Sequence, residues 1–436
     1  MTSKPSSDVS LAHVDQAASG LAPITAPYLL TTSSLPCYID ERGRRYLDPL
    51  WVKDLREHVQ YLQNLYLAAP CRYGIPPKSY TCLTNEPALS KIHFIDMPSP
   101  RNMAHGLLLL PQTFIRFWKV VNRVEIVHAG LAGWPIPYAW ILAPITRLKK
   151  KFFLVNVESA PWRLEVSASR SLAAYLRAEI FEFINRFCVR AGSIVFFTHA
   201  QYRKSLQPNQ PERGYVINAS WIDEAHIISN LEATECWAKK RHAPLRVLFA
   251  ARVVAQKGVQ VLLAAMKELS RRGVAVQLDI LGEGDLINLC EAVSQSIQTP
   301  VTINLLGTVS YGDEFFRLAR NYHAIVIPNL SDEQPRLVYD AYSQAVPVLA
   351  SETAGIRDCV QADQTGKLVP PGNITALADL LEWATTHIDE LETMGMTALD
   401  LAHGLTHQEM HRRRWQILSK ALEDARSNYS FFAAQT

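Results

Sequence analysis

Two positively charged residues follow the first strand-like run in the second half of the chain. The run LRVLFAAR leads to Arg252, and Lys257 and Gly258 come shortly afterwards, where a helical pattern starts. An arginine and a lysine beside a helix N-terminus suit a diphosphate, because both donate charge-assisted hydrogen bonds and the helix dipole adds positive potential. A solvated surface pair is the alternative, and these residues alone leave it open.

Two aspartates follow in the stretch PNLSDEQPRLVYDAYSQAVP. Asp332 ends a loop after a strand-like run, and Asp340 lies inside the next helical pattern. Carboxylates in these positions accept hydrogen bonds from sugar hydroxyls, one over a bound sugar and one near a ribose. The alternative is that Asp332 only caps the following helix. The spacing does not decide between the two.

Polar residues also follow the strand-like runs of the first half, where they could lie at the edge of a sheet. For each of them a structural role in a loop or cap is the alternative to catalysis. His58 and His323 are interpreted as ordinary surface or core histidines. The candidates are His128, Glu158, Trp162, Arg163, His199, Asn218 and Asp223.

The sequence around these residues predicts alternating strands and helices, which would position them. From Leu245 onwards, continuous apolar runs alternate with helical patterns, which predicts a doubly wound α/β domain. The first half has the same rhythm in a less regular form. We predict a flexible leader over 1–27, α/β domains over 28–235 and 244–395, and a helical segment over 396–436.

Composition excludes several classes of protein. The chain has 436 residues, 48% of them hydrophobic, so it is too apolar to be disordered, and its net charge of +3 is too small for a typical nucleic-acid partner. The seven cysteines include no Cys-x-x-Cys, which favours reduced thiols and predicts no metal centre. No signal peptide or membrane span is apparent, so we expect a cytoplasmic protein.

A glycine pair after the next strand-like run argues against one enzyme class. The pair stands in Gly282-Glu283-Gly284, and Ile287 occupies the place of the third glycine of the dinucleotide fingerprint. A nicotinamide-dependent enzyme is therefore disfavoured.

Taken together, these segments resemble the C-terminal domain of glycosyltransferase family 4. The resemblance runs through about 130 residues in consistent order, comprising Arg252-x4-Lys257-Gly258, LDILGEG, LLGTV, PNLSDEQPRLVYDAYSQAVPVLAS, AGIRDCV and TGKLVPPGN. It implies the GT-B fold, in which two Rossmann-like doubly wound domains face each other across a cleft. It also implies a retaining, metal-independent transferase that needs no cofactor and takes a nucleotide-diphosphate sugar as co-substrate.

The resemblance assigns the donor site by position. Arg252 and Lys257 would bind the donor diphosphate, Asp340 the ribose hydroxyls, and backbone around Gly307 the base. We add Arg336, which lies between Asp332 and Asp340, the two signature acids at the positions of the family's Glu-x7-Glu. The expected acceptor is a polysaccharide or a lipid-linked glycan.

The catalytic set is less regular. Asp332 would face the donor sugar, but both signature acids are Asp where the family has Glu, and Glu333 replaces the usual Gly. We assign Asp332 and Glu333, with His128 and Glu158 from the first domain, as catalytic. The first domain also lacks the glycine-rich loop of many relatives, whose counterpart is sought in LAAPCRYGIPPKS.

Other functions remain open. A protein of the same fold that binds nucleotide or glycan without transfer is the main alternative, and an epimerase or phosphorylase is less favoured. The segment from Arg147 to Phe153 combines four cations with two aromatic residues. It predicts either peripheral contact with the inner face of a membrane or a helix end that runs into a buried strand.

Overall fold

The computed structural model describes residues 22–133, 136–163, 171–207 and 209–433. Within these ranges the chain forms two sheets, each covered by helices. No helix in the described part of the chain has both the length and the apolar character needed to cross a bilayer. All seven cysteines are free thiols.

The first sheet has ten strands, in the order β10-β9-β8-β7-β1-β4-β2-β3-β5, with β6 also paired to β4. Its pairs are parallel apart from β2–β3 and β3–β5. The strands are β1 (Tyr28–Thr31), β2 (Cys37–Ile39), β3 (Arg45–Leu47), β4 (Leu65–Tyr73), β5 (Thr81–Cys82), β6 (His93–Met97), β7 (Ile126–Gly130), β8 (Phe152–Val157), β9 (Ile194–Phe197) and β10 (Gly214–Val216). The helices are α1 (Pro49–Tyr61), α2 (Met103–Leu108), α3 (Leu110–Val121), α4 (Tyr138–Leu148), α5 (Leu172–Ala191) and α6 (Ala200–Leu206).

The second sheet is entirely parallel, in the order β13-β12-β11-β14-β15-β16. This is the doubly wound order of a Rossmann domain, as the sequence predicts. The strands are β11 (Leu245–Ala250), β12 (Val276–Leu281), β13 (Thr302–Gly307), β14 (Ala324–Ile327), β15 (Val348–Ser351) and β16 (Gly366–Val369). The helices are α7 (Asn230–Lys240), α8 (Val259–Arg272), α9 (Ile287–Ser296), α10 (Asp313–Ala319), α11 (Leu337–Tyr342), α12 (Ala354–Arg357), α13 (Ile374–Thr386), α14 (Ile388–Ala402) and α15 (His407–Ala433).

Local sequence explains where these elements begin and end. Helix α8 ends at Gly273, which adopts a φ of 74° after Arg271 and Arg272, and a left-handed glycine after basic residues is a common helix stop. Helix α5 begins at Ser171, whose hydroxyl accepts a hydrogen bond from the N–H of Ala174. Strand β14 reads AIVI and is buried throughout, as a central parallel strand requires.

The domain boundaries differ from the expected ones at three places. Ile24 and Ala26, inside the expected leader, are buried in the core of the first sheet. Helix α7 crosses the expected end of the first domain at residue 235, but it packs on the second domain because Trp237 on its apolar face enters that core. The link between the sheets therefore lies at 217–229.

The third difference is the C-terminal helix. Helix α14 stays on the second domain, whereas α15 returns to the first, where Met410 and Leu418 enter the core beside α1. Most of the basic residues of α15 face solvent, but Arg414 is largely buried, with 13% of its side chain exposed. Burial lowers the pKa of His407, on the inner face of this helix, to about 4.

Candidate functional site

The second sheet reverses its strand order between β11 and β14, and the loops after these strands meet there. In doubly wound folds this reversal creates the ligand crevice. Lys257 ends a short 3-10 turn directly before α8, and Gly258 lets the turn approach the next loop, because a Cβ there would lie 1.8 Å from the carbonyl oxygen of Pro328. The ammonium of Lys257 forms a 2.9 Å ion pair with Glu333 in that loop.

Arg252 stands free at the same edge. Its side chain is exposed, with no hydrogen-bond or ion-pair partner in the described ranges. The glycine pair after β12 packs backbone against the loop that carries it, since a Cβ at Gly282 or Gly284 would lie 2.0 or 2.4 Å from carbonyl oxygens of residues 251–253. Gly307, exposed at the end of β13, accepts a 2.6 Å hydrogen bond from the N–H of Gly282. These glycines therefore allow the loops after β11, β12 and β13 to pack closely beside the crevice.

The first signature acid caps a helix, although not the one expected. Asp332 Oδ1 accepts a 3.1 Å hydrogen bond from the N–H of Ala354, at the start of α12. Gly355 makes this approach possible, because a Cβ there would lie 2.5–2.6 Å from the backbone of residues 332–333. The carboxylate of Asp332 thus has a structural partner, while Glu333 beside it faces Lys257.

The second signature acid is buried. Asp340, 6% exposed, lies on α11, and its Oδ1 accepts a 2.8 Å hydrogen bond from the hydroxyl of Tyr311. Burial raises the pKa of Asp340 to about 6. Arg336, at the start of the same helix, is exposed and lies 5.0 Å over the ring of Trp221. Sequence reasoning missed Tyr311 and Trp221, which no spacing rule ties to the signature.

His199 is the first-domain residue that meets this site. It follows β9, is fully buried, and lies against Tyr202 with ring centroids 3.7 Å apart. Burial lowers its pKa to about 4, against the opposing influence of Asp358 and Asp332 of the second domain. Neither ring nitrogen has a hydrogen-bond partner within the described residues. The N–H of Ala200 donates to Asp358, which ties the two domains together here.

His128 does not reach this site. It lies inside β7 rather than after it, is 6% exposed, and its Nδ1 is 2.9 Å from the hydroxyl of Tyr28. Burial holds the pKa of His128 well below its usual range. The expectation that it follows its strand fails because β7 continues to Gly130, and strand alternation turns the imidazole into the core.

The residues after β8 have different positions. Glu158 is exposed at the carboxyl edge of the sheet and accepts a 2.8 Å hydrogen bond from Asn156. Trp162 and Arg163 both donate to Glu182 of α5, at 2.7 Å and at 2.9–3.0 Å. Despite burial, these hydrogen bonds lower the pKa of Glu182. Trp162 and Arg163 are therefore structural.

The remaining candidates belong to the link between the domains. Asp223 forms a 2.8 Å ion pair with Lys53 of α1. Asn218 directly precedes Ala219, a residue of the link that contacts the signature loop. The side-chain amide of Gln334 holds the backbone of Ala219 with two hydrogen bonds, of 2.8 and 3.2 Å. Gln334 was missed, although it lies two residues after Asp332 in the quoted stretch. It fastens the signature loop to the link.

Comparison with known proteins adds to this geometry. The profile of the family "Glycosyl transferases group 1" matches residues 244–387, the domain that holds Arg252, Lys257 and both aspartates. WcaL of Escherichia coli, a protein named for colanic acid biosynthesis, is 25% identical over 186 residues, which is 41% of this chain and 46% of WcaL. The amylovoran biosynthesis glycosyltransferase AmsK of Erwinia amylovora is 27% identical over 146 residues, 32% of this chain and 36% of AmsK. The chain thus spans less than half the length of these relatives.

Solved structures match over most of the chain. Anabaena HepE in complex with UDP has a TM-score of 0.62 at 13% identity, covering 90% of this chain and all of HepE. Sucrose-phosphate synthase of Thermosynechococcus elongatus has a TM-score of 0.61 at 16% identity, covering 94% of this chain and all of that one. The chain has the GT-B fold. The site described above therefore lies between the two Rossmann-like domains of a GT-B protein.

Proposed function

We propose that the protein is a glycosyltransferase that moves a sugar from a nucleotide-diphosphate sugar to a glycan acceptor. The observation that carries the proposal is the position of Arg252 and Lys257 at the start of α8, in the crevice where the strand order reverses. The matches to group 1 glycosyltransferases over this domain support it. Complexes of HepE with UDP and with UDP-glucose make a uridine nucleotide the first donor to test.

Arg252 and Lys257 account for the stabilisation of the leaving phosphate in this proposal. As the bond between the sugar and the diphosphate breaks, negative charge grows on the leaving phosphate. An arginine and a lysine beside a helix N-terminus stabilise that charge more in the transition state than in the ground state. We therefore propose metal-independent transfer, and the resemblance to family 4 supports our proposal that the anomeric configuration is retained.

Glu333 and Asp340 have separate roles in this proposal. Glu333 is paired with Lys257 at 2.9 Å, so a diphosphate that binds Lys257 releases the Glu333 carboxylate toward the donor sugar. Asp340 accepts hydrogen bonds from the ribose hydroxyls. His199, buried beside Asp332 at the domain interface, replaces His128 as the first-domain histidine of the site.

A surface on the first domain supports a lipid-linked acceptor and peripheral contact with the inner face of a membrane. Helices α2 and α3 expose a set of large apolar side chains, and Lys149 lies 3.7 Å over the ring of Trp118 beside them. An apolar patch with a lysine at its edge fits an anionic lipid surface. The exposed apolar residues are Met103, Leu107, Leu108, Phe114, Ile115 and Trp118.

Calorimetric titration with UDP, GDP and ADP tests the donor site. We expect one of the three to bind without added metal. Lys257→Ala should weaken that binding about 10- to 100-fold, the loss of one charge-assisted hydrogen bond. Lys267→Ala, an exposed lysine on the same helix, is the matched control and should bind normally. No binding of any nucleotide, or equal binding by Lys257→Ala, would refute the site.

Product analysis separates transfer from binding alone. Incubation with the matching nucleotide sugar and a lipid-linked glycan should give a longer glycan, and its anomeric proton signal reports retention or inversion. Nucleotide binding without transfer or donor hydrolysis would favour the non-catalytic alternative. Sedimentation with anionic and with neutral vesicles tests the membrane surface, and Trp118→Glu should reduce sedimentation with the anionic vesicles only.

A further inference from the structure

A carboxylate and two imidazoles converge where α15 lies on α1. Asp54 Oδ1 is 3.0 Å from Nε2 of His411 and 3.7 Å from Nε2 of His407. One potential ligand atom from each residue lies within 4.8 Å of the others. All three side chains are buried, with 6%, 1% and 0% exposed. The cluster joins residues more than 350 positions apart in the chain.

The hydrogen bonds of His407 leave one of its nitrogens without a partner. Its Nδ1 is 2.9 Å from the carbonyl oxygen of Ser220, and a carbonyl only accepts, so Nδ1 carries the proton. In a neutral ring Nε2 then presents a lone pair, and it points toward Asp54 at a distance too long for a hydrogen bond. Nε2 has no hydrogen-bond partner among the described residues. A buried lone pair that faces a carboxylate is unfavourable unless a proton or a metal cation lies between them.

The spacing fits a small divalent cation. Bonds of 2.0–2.1 Å in tetrahedral geometry separate neighbouring ligand atoms by about 3.3 Å, between the two distances measured from Asp54. The outer nitrogens are also held, His407 Nδ1 by Ser220 and His411 Nδ1 by the hydroxyl of Tyr61 at 3.1 Å. Metal-bound imidazoles have this second hydrogen bond almost without exception.

We propose that Asp54, His407 and His411 bind one Zn²⁺ ion, which fastens the C-terminal helix to the first domain. A water molecule or the imidazole of His58, whose ring centroid is 4.6 Å from that of His411, completes the coordination. The ion is structural, because none of its three protein ligands reaches solvent.

The position of the ion explains what it supports. The ring of Trp221 stacks on His407 with centroids 5.0 Å apart, and Arg336 lies on Trp221 at 5.0 Å. The metal thus stabilises the link between the domains, and the ring of Trp221 separates it from Arg336 and the donor crevice. The competing arrangement needs no metal: Asp54 then keeps its hydrogen bond with His411, pairs with His58 at 3.2 Å, and pairs with Arg414, whose Nη1 is 3.9 Å from Asp54 Oδ1.

Metal analysis of the untagged full-length protein tests the proposal. We expect one equivalent of zinc by mass spectrometry, and visible absorption bands of tetrahedral Co²⁺ after exchange. Asp54→Asn and His407→Gln should lose the metal. His387→Gln, a partly exposed histidine outside the cluster, should retain it. Tyr61→Phe should weaken zinc affinity about 10- to 100-fold, since it removes only the outer hydrogen bond of His411.

Wild-type protein gives a second test that no unfolded variant can confuse. A strong chelator should lower the melting temperature, and added Zn²⁺ should restore it. Folded wild-type protein without bound metal and without a response to chelator would overturn the proposal and assign Asp54 to Arg414. Full zinc occupancy in His407→Gln would overturn it too. Nucleotide titration is a separate measurement, so failure here leaves the proposed function untouched.

Discussion

The buried carboxylate of Asp340, which we propose binds ribose, lowers the stability of the folded protein. Burial raises its pKa from 3.8 to about 6, so the folded protein disfavours the ionised form that is proposed to accept hydrogen bonds from ribose hydroxyls. At roughly 1.36 kcal/mol per pKa unit, the interval amounts to an unfavourable free energy on the order of 3 kcal/mol at neutral pH. Asp340→Asn removes the charge and keeps an oxygen for the Tyr311 hydroxyl. We therefore expect this variant to be more stable than the wild type and to bind the nucleotide more weakly.

The sign of the pH dependence makes the prediction specific. Above the folded pKa of about 6, aspartate is ionised in both states and the wild type carries the full penalty. As the pH falls through about 6 toward 3.8, the folded protein takes up a proton and the penalty disappears. Urea unfolding should show a stability gain for Asp340→Asn at about pH 8 that vanishes near pH 4. A gain that does not change with pH, or a loss of stability at pH 8, would refute the reasoning.

Four further substitutions test the roles of other residues. Gly258→Ala should cost about 2–4 kcal/mol of unfolding free energy and weaken nucleotide binding, because its Cβ would lie 1.8 Å from the carbonyl oxygen of Pro328; urea unfolding and titration measure both. Glu333→Gln should raise nucleotide affinity up to about fivefold, since no ion pair to Lys257 has to break, but should lower turnover in a transfer assay. Tyr28→Phe should cost about 1 kcal/mol of stability and leave turnover unchanged, whereas His199→Ala should lower turnover about tenfold or more; equal turnover in the two would contradict the assignment of His199.

The second domain was predictable because its signals are local. Continuous apolar strands, amphipathic helices and a glycine stop after Arg272 each follow from a short window of sequence, and the parallel order follows from their alternation. The path of α15 was not predictable. Its basic residues suggest a solvated helix, and only the tertiary structure brings His407 and His411 to Asp54, because contacts over more than 350 positions leave no periodic signal.

The candidate site divides in the same way. Lys257 and Arg252 were found because they follow a strand at the edge where parallel strands end, a rule that needs no partner. His128 was misplaced because the rule depends on where a strand ends, and β7 extends two residues beyond it. His199 also follows a strand, but so do other first-domain candidates, so this rule does not single it out. What sets His199 apart is the proximity of Asp358 and Asp332 across the domain interface, which the sequence does not reveal.

The two departures from the family signature explain each other in the folded loop. Asp332, one methylene shorter than the usual glutamate, is held by the N–H of Ala354, so its carboxylate stabilises the approach of α12. Glu333, where the family has glycine, supplies a longer carboxylate one residue further on, next to Lys257. The loop therefore keeps one acid for the structure and one for the crevice. In the folded loop it is therefore Glu333 rather than Asp332 that lies beside Lys257, the cation proposed to bind the diphosphate.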